Sequence, residues 1–389
     1  MENKENKHAE KHPISGKKIA LFILYLLIAV CLLLTVLSFN DMPSILEQLK
    51  NVKPGYILLG VLMVLIYMAL YPISLCLLTK ARKCDIKMTT TYNIAMTEHF
   101  FNGITPLATG GQPFQAHSYS RAKVKISEST GLLLTNLLIY MIVTTGFSMT
   151  GLFFFKELTM YIDRGWIPII IVGYSLNFMV LVVIVFLGTS AKLRGGLMRC
   201  IRFFCKFRLL RRFESKADDL QGYFENVQQS FKDLMHHKKT FFWALISKIA
   251  SFAFLYSSSF FILLALDIPV SISEWFMILA GTSFAITAVG FIPTPGASGG
   301  VEGSAGQVFK SIIIRVVGAS IVPVAAATAN GVMLIWRLLS YYMVMIISLF
   351  FYIGLEFYFK KKAKAERLNA LVAEAENENS SGEDDYEEE

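Results

Sequence analysis

Charged residues are scarce in this sequence of 389 residues, since Asp, Glu, Lys and Arg together make up 17% of it. Apolar residue types make up 54%, and the mean hydropathy is +0.52. A soluble domain of this size needs more polar surface than this composition supplies. The composition therefore excludes the ordinary soluble classes and predicts an all-α, polytopic integral membrane protein.

Cysteine and enzyme signatures are also sparse. The sequence has five cysteines and no Cys-x-x-Cys pair, so it indicates neither a disulfide framework nor a zinc site. Neither a His-Glu-x-x-His helix nor a phosphate-binding loop ending in Gly-Lys is present. We therefore expect no catalytic residue, no metal and no cofactor, although a role beside an enzyme of lipid modification stays open.

Six apolar runs are long enough to cross a bilayer, which takes about 20 residues. They cover 19–39, 56–79, 129–155, 166–188, 241–265 and about 333–358. The first run follows two lysines and is too long for a signal-peptide core, so we interpret it as a retained span. Lys and Arg cluster beside the runs, and placing them on one side puts both termini in the cytoplasm. This predicts a multi-pass protein of a cell membrane, in a bacterial cell.

A short motif occurs twice in the chain. Thr105-Pro-Leu-Ala-Thr-Gly-Gly111 returns 189 positions later as Thr294-Pro-Gly-Ala-Ser-Gly-Gly300. Pro and Gly break helices, and matched breaks in the two halves of an apolar chain indicate a transporter-type site between inverted repeats. We predict two re-entrant helical hairpins, at about 91–112 and 272–312, with buried tips that face each other. The inverted repeat would then contain about six spans and two hairpins.

This topology divides the chain into five parts. They are an N-terminal cytoplasmic tail (1–18), a first membrane half (19–188), a basic cytoplasmic insertion (189–240), a second membrane half (241–359) and a charged, disordered C-terminal tail (360–389). Within the second half, we expect 313–359 to form one long or kinked helix, because two spans there would put the lysines after Phe359 outside the cell.

The insertion interleaves basic and apolar residues. Its membrane-surface candidates are Arg199, Arg202, Lys206, Arg208, Arg211 and Arg212. This pattern is typical of an amphipathic helix that lies on anionic inner-leaflet lipid. Nucleic acid is the alternative partner, but the neighbouring membrane already supplies a negative surface, so we expect none.

Ionisable residues in apolar segments are the first candidates for function, because they are costly at membrane depth. Glu98 precedes the first motif and Glu302 follows the second, while Lys248 and Arg337 lie within spans. These four could balance charge at one centre. The alternative is that both bases snorkel or pair with the glutamates only to hold the bundle together. We expect His99 to be a hydrogen-bonded interior residue rather than a relay.

The glycines of both motifs are candidates for anion binding. A helix start leaves backbone N–H groups free and carries partial positive charge. With their neighbours, the substrate-binding candidates here are Gly110, Gly111, Gly299, Gly300, Asn102, Thr105, Thr109, Gln112, Thr294 and Ser298. The alternative is that small residues only let the two hairpins pack closely.

At these motifs the chain resembles the flippase-like transmembrane domain family of lysylphosphatidylglycerol synthases, the multiple peptide resistance factor family, which has stand-alone members. The likeness rests on Asn102 to Ala116, Arg121, Pro293 to Gly303 and Arg337, and extends over roughly residues 15–358. It implies lipid transport and a link to antibiotic resistance. Full-length members add a soluble transferase domain. Only thirty residues follow Phe359 here, so we expect no lysine transfer.

Three functions stay open from the sequence. The first is a flippase-like transporter that moves a phospholipid, aminoacyl-phospholipid or glycolipid headgroup between leaflets through a cavity at the hairpin tips. The second is a membrane component of lipid modification, including a phosphatidylglycerol lysyltransferase-family role. The third is a non-transporting lipid-binding scaffold. A homo-oligomer is compatible with all three.

Overall fold

The computed structural model describes residues 50, 52–189, 196, 225, 229 and 237–383. These residues form helices and the turns between them. The predicted span 19–39, the N-terminal tail and the six membrane-surface residues of the insertion lie outside the described residues.

Five helical stretches in the described ranges are long and apolar enough to cross a membrane. They are Pro54–Ala81, Glu128–Thr159, Trp166–Val183, Lys238–Ala265 and Ala319–Asn369. Each coincides with one of the six predicted runs. The first stretch is broken near Pro72 into α1 (Pro54–Leu70) and α2 (Ile73–Ala81), as expected where proline removes a backbone donor.

The first motif joins two antiparallel helical arms. One arm consists of α3 (Met88–Met96) and α4 (Glu98–Ile104), and the other is α5 (Gly111–Arg121). The ring of Phe101 stacks on that of Phe114, with centroids 3.8 Å apart, which fixes the register of the arms. The helix–turn–helix unit thus covers 88–121 and is longer than the predicted 91–112.

Two helices follow the first hairpin. They are α6 (Ile126–Thr150), extended through a 3₁₀ turn by α7 (Phe155–Thr159), and α8 (Trp166–Thr189). The loop 160–165 connects them. After the insertion, α9 (Lys238–Ala265) runs antiparallel to α1 and α2 and packs along them. Gly60 lies against Ile262, where its missing side chain lets the helices approach.

The second motif also joins two helices. These are α10 (Trp275–Thr287) and α11 (Gly300–Val317). Gly281 of α10 faces Val308 and Ile312 of α11, so these arms are antiparallel too. This unit covers 275–317, against the predicted 272–312.

The chain ends in one very long, interrupted helix. It comprises α12 (Val322–Arg337), a π-helical segment (Leu338–Met343) and α13 (Val344–Glu383). The expectation of one long or kinked helix over 313–359 is met only from Val322 onward, because residues 313–317 end α11 and Gly318 breaks the helix there. Helix α13 continues through 360–383, where the sequence predicted a disordered tail. Those residues are rich in Ala, Glu, Lys and Leu, which have high helix propensity.

Each hairpin has a buried apolar core of its own. One core surrounds the second hairpin and includes Phe284 and Phe309, and the other surrounds the first hairpin and includes Ile94 and Tyr119. Helix α9 contributes to both cores. The two hairpins therefore pack in two cores that share one central helix.

Candidate functional site

The two motif tips touch each other. Pro106 and Pro295 form an isolated antiparallel bridge between their backbones. The expectation that the tips face each other is therefore confirmed. The contact brings together segments that are far apart in sequence. The expectation that both tips are buried is wrong for the first one, because Pro106 to Thr109 are exposed and Leu107 retains 51% of its accessible surface. The second tip is half-buried from Thr294 to Ala297.

The two tips have the same backbone conformation. Leu107 and Ala108 have φ angles of 55° and 52°, and the matching Gly296 and Ala297 have 61° and 51°. Three of these four residues carry a side chain and still adopt left-handed geometry, which costs free energy and is kept only where the surroundings enforce it. The duplication in sequence is therefore also a duplication of a strained turn.

Matching hydrogen bonds hold the two turns. The Thr109 hydroxyl donates to the carbonyl of Pro106 at 3.0 Å, and the Ser298 hydroxyl donates to that of Pro295 at 2.9 Å. Thr294 donates to the carbonyl of Ser298 at 2.8 Å. These predicted site residues thus have a structural role in shaping the tips.

An ion pair lies under the second tip. The Nε of Arg337 donates to Glu302 Oε1 at 2.8 Å, and its Nη2 donates to the carbonyl of Gly296 at 2.8 Å. Only 4% of Arg337 and 9% of Glu302 are exposed. A charge at such depth needs a partner. The predicted pairing of these two residues is therefore what the structure contains.

The other acid and base meet through a tyrosine that the sequence did not single out. The Lys248 Nζ, fully buried, lies 3.3 Å from the centroid of the Tyr71 ring and donates to the Tyr71 carbonyl at 3.2 Å. The Tyr71 hydroxyl donates to Glu98 Oε2 at 3.0 Å. Lys248 and Glu98 therefore share Tyr71 and are not bonded directly.

Two amide side chains complete the surroundings of Glu98. Gln115 donates to Glu98 Oε2 at 3.3 Å, and Asn102 donates to Oε1 at 3.5 Å. Asn102 was predicted and Gln115 was not. The ring centroid of His99 lies 4.3 Å from that of Tyr71. His99 is thus an interior residue as expected, but its Nε2 has no hydrogen-bond partner among the described residues.

The last helix connects the two charged clusters. The Arg337 guanidinium carbon lies 4.3 Å above the Tyr341 ring, and the Tyr341 hydroxyl donates to the carbonyl of Gly103 at 2.7 Å. Gly103 follows Asn102, which reaches Glu98. Tyr341 and the adjacent residues Asn102 and Gly103 therefore connect one charged cluster to the other. Tyr341 was not among the residues predicted from the sequence, although its position about one helical turn after Arg337 could have indicated a contact with that arginine.

The glycine N–H groups are not free, contrary to our expectation. Gly110 N donates to Thr105 Oγ1 at 2.9 Å, and Gly111 N donates to Asn102 Oδ1 at 2.9 Å. Gly299 N donates to a Glu302 carboxylate oxygen at 2.6 Å. Side chains of the hairpins thus cap their own helix starts, and an anion could use these donors only by displacing them.

The remaining candidates lie at the same helix starts. Gly300 is buried and Gln112 is half-buried in the first turns of α11 and α5. The run Gly296 to Gly300 also spells Gly-x-Ser-x-Gly, the pattern of a nucleophile elbow between a strand and a helix. Here a helix and an irregular turn precede the serine, and its hydroxyl bonds to Pro295.

Comparison with known proteins supports the resemblance seen in the motifs. The family model described as the transmembrane region of lysylphosphatidylglycerol synthase matches residues 21–348. A UPF0104 membrane protein of Methanothermobacter thermautotrophicus is 24% identical over 310 residues, which cover 77% of this chain and 85% of that protein. The matched region contains both hairpins, both charged clusters and all the membrane-length helices up to the π segment. This membrane protein belongs to the family of lysylphosphatidylglycerol synthase transmembrane regions.

Proposed function

We propose that the protein is a lipid flippase-like transporter. It would move the headgroup of a phospholipid or glycolipid between leaflets, past the place where the two motif tips meet. The observation that carries this proposal is the contact between Pro106 and Pro295, with a buried acid–base set on either side. Irregular backbone between apolar helices, close to ionisable groups, is typical of transporter sites.

The exposed first tip supports an opening at this place. Irregular backbone at membrane depth is tolerated only where protein covers it or where it lines a water-filled cavity. Pro106 to Thr109 are exposed residues, and their turn carries backbone carbonyls and the Thr109 hydroxyl. A headgroup that is leaving one leaflet could therefore exchange its water for these groups while its acyl chains stay in lipid.

The charge set suits a headgroup with a phosphate. Lys248 and Arg337 would offset the phosphate, and Glu98 and Glu302 would bind a cationic group or take up protons. All four are already engaged, since Arg337 bonds Glu302 and Tyr71 joins Lys248 to Glu98. Entry of a headgroup would then mean exchange of partners rather than occupation of empty donors, which keeps the charges compensated between transport events.

An inverted repeat would provide alternating exposure. The equivalent turns, together with the antiparallel packing of α9 on α1 and α2, are what two halves related by an in-plane axis would give. In this arrangement both hairpins are re-entrant, from opposite faces, and both termini lie in the cytoplasm. Rocking of one half against the other would expose the tips to each face in turn.

Reconstitution tests the proposal. Purified protein in phospholipid vesicles that include anionic lipid should transfer fluorescent phospholipid to the outer leaflet, where dithionite bleaches it. Glu302→Gln and Lys248→Met should reduce the rate at least tenfold, while Lys53→Gln, an exposed residue of a different ion pair, should not. Wild-type protein that moves none of a panel of anionic, zwitterionic and glycosylated lipids would refute a transport function.

A further inference from the structure

Two basic residues occupy the same position in the second arms of the two hairpins. Arg121 lies ten residues after Gly111, and Lys310 lies ten residues after Gly300. Both bases pair with an acid from outside their own hairpin: Arg121 with Glu356, and Lys310 with Asp163. The internal repeat therefore extends beyond the tips to a matched pair of ionic contacts.

The contact of Arg121 holds the first hairpin to the last helix. Arg121 donates to the carboxylate of Glu356, and its guanidinium carbon lies 4.4 Å from the centroid of the Phe359 ring. About a quarter of the Arg121 and Glu356 side chains remains exposed. Ten residues further along α13, nearly three helical turns, Glu366 pairs with Lys123 at 2.7 Å. The arm is thus fixed to α13 at its end.

The contact of Lys310 holds the second hairpin to the loop between α7 and α8. Lys310 Nζ lies 2.7 Å from Asp163 Oδ1, and Gln307 donates to Oδ2 at 2.8 Å and accepts from the Asp163 N–H at 3.0 Å. At Gly303 of the same arm, any Cβ would overlap the ring of Trp166. The absence of a side chain there lets the loop lie directly on the helix.

The two contacts lie at opposite ends of the bundle. The membrane-length stretch Glu128–Thr159 begins seven residues after Arg121 and ends four residues before Asp163. At about 1.5 Å per helical residue this stretch is long enough to cross a bilayer. One contact therefore lies at each membrane face if the stretch spans.

We propose that these contacts are the two gates of the transporter. The Arg121–Glu356 contact closes the path at one membrane face, and the Lys310–Asp163 contact closes it at the other; each opens while its counterpart stays closed. The proposal rests on the transport function proposed above. Both contacts are formed in this structure, which thus represents a state in which neither gate is open.

The gates are tested by reversing the charge of one partner in each ion pair, and then by exchanging both partners to restore the pair. Leu107→Cys is introduced at the exposed first tip, with the native cysteines replaced by serine, and its labelling by a membrane-impermeant maleimide is measured from each face of sealed vesicles. Arg121→Glu should raise labelling from one face about threefold or more, the change expected for loss of a partly exposed ion pair. Lys310→Glu should raise it from the opposite face.

Swapped pairs and a matched control separate gating from general loosening. Arg121→Glu/Glu356→Arg and Lys310→Glu/Asp163→Lys should return labelling toward the parent value. Lys53→Glu breaks an ion pair of 2.6 Å with Asp267 that joins α1 to the end of α9, outside both hairpins, and should leave labelling unchanged. Equal labelling from the two faces in every variant, or swaps that restore nothing, would overturn the gates.

Labelling and transport report on different proposals. If the wild type moves no lipid but the two reversals still bias labelling to opposite faces, then the gates stand and the lipid substrate is wrong. If all the reversed variants move lipid at the parent rate, the gates are refuted and the transport function stands.

Discussion

Substitutions of Glu302 and Arg337, which form a buried ion pair, should have strongly coupled effects on the free energy of unfolding. Glu302→Gln keeps the shape of the side chain and an oxygen that can still cap the N–H of Gly299, but it removes the negative charge. Arg337, only 4% exposed, would then keep its charge with the carbonyl of Gly296 and an amide as partners. Arg337→Met removes the positive charge and leaves Glu302 with its cap alone.

The size of the effect follows from this burial. Removal of one partner from a buried ion pair costs about 3–5 kcal/mol, because the remaining charge is uncompensated. The double variant removes both charges, so it should cost no more than either single variant. The cycle then gives a coupling energy of at least about 3 kcal/mol, the upper end of what contacting residues show.

Unfolding in mixed micelles with increasing dodecyl sulfate, followed by tryptophan fluorescence, would measure the free energy of unfolding for all four proteins. A second cycle on the exposed pair Lys53 and Asp267 is the control and should show no measurable coupling. Additive effects at Glu302 and Arg337 would refute the reasoning, because they would mean that the two charges are independently solvated.

Three further predictions concern the loop contact and the second tip. A hydrogen bond from Lys310 holds the pKa of Asp163 below its usual value of 3.8. The stabilising contribution of Asp163 is therefore complete above pH 3.8 and is lost as the pH falls through the lower folded pKa. The acid unfolding of Asp163→Asn should lack this component. Gly303→Ala should destabilise the protein by about 1–3 kcal/mol through overlap with Trp166, and Trp166→Leu should relieve part of that loss in thermal unfolding. Gly296→Ala combines a φ of +61° with a crowded neighbour and should lower the unfolding temperature more than an alanine at an exposed glycine.

The tips were predictable because their signals are local. Proline at the second position and paired glycines at the end break a helix wherever they occur, so Thr105 to Gly111 and Thr294 to Gly300 could be located from sequence. The ends of the hairpins were less predictable. The first hairpin was expected to end at about 112, but α5 continues to Arg121, which contacts Glu356 from 235 residues away.

The buried charges and the pairing of Arg337 with Glu302 were anticipated from the sequence, whereas the link between Lys248 and Glu98 through Tyr71 was not. Arg337 and Glu302 are rare residue types in apolar segments, which makes them conspicuous. Tyr71 is one of 16 tyrosines in a chain rich in aromatic residues, and most of these pack in the core or face lipid. Its link between Lys248 and Glu98 depends on how α1, α9 and the first hairpin pack, and no spacing in the sequence encodes that.

The prediction of free anion-binding N–H groups failed for a reason that the sequence did contain. Glu302 stands three residues after Gly299, the spacing at which a glutamate reaches back to cap the start of its own helix. Asn102 and Thr105 accept from Gly111 and Gly110 across the turn of the first tip, and their short polar side chains are residue types that compete for free backbone groups. The N–H groups of Gly110, Gly111 and Gly299 therefore already have side-chain acceptors and need no ligand.

The π-helical segment Leu338–Met343 is a point at which the two parts of the last helix could rotate relative to each other. On one side of it, Arg337 is bonded to the second hairpin; on the other side, the Ser348 hydroxyl donates to the carbonyl of Met96 in the first. A π turn holds more residues than an α turn, and each residue of an α-helix advances roughly 100° around its axis. If the segment relaxed to α geometry, α13, which contacts the first hairpin, would rotate about the helix axis relative to α12, which contacts the second hairpin. A single helix could in this way transmit rotation from one half of the protein to the other without any change in the packing within either half.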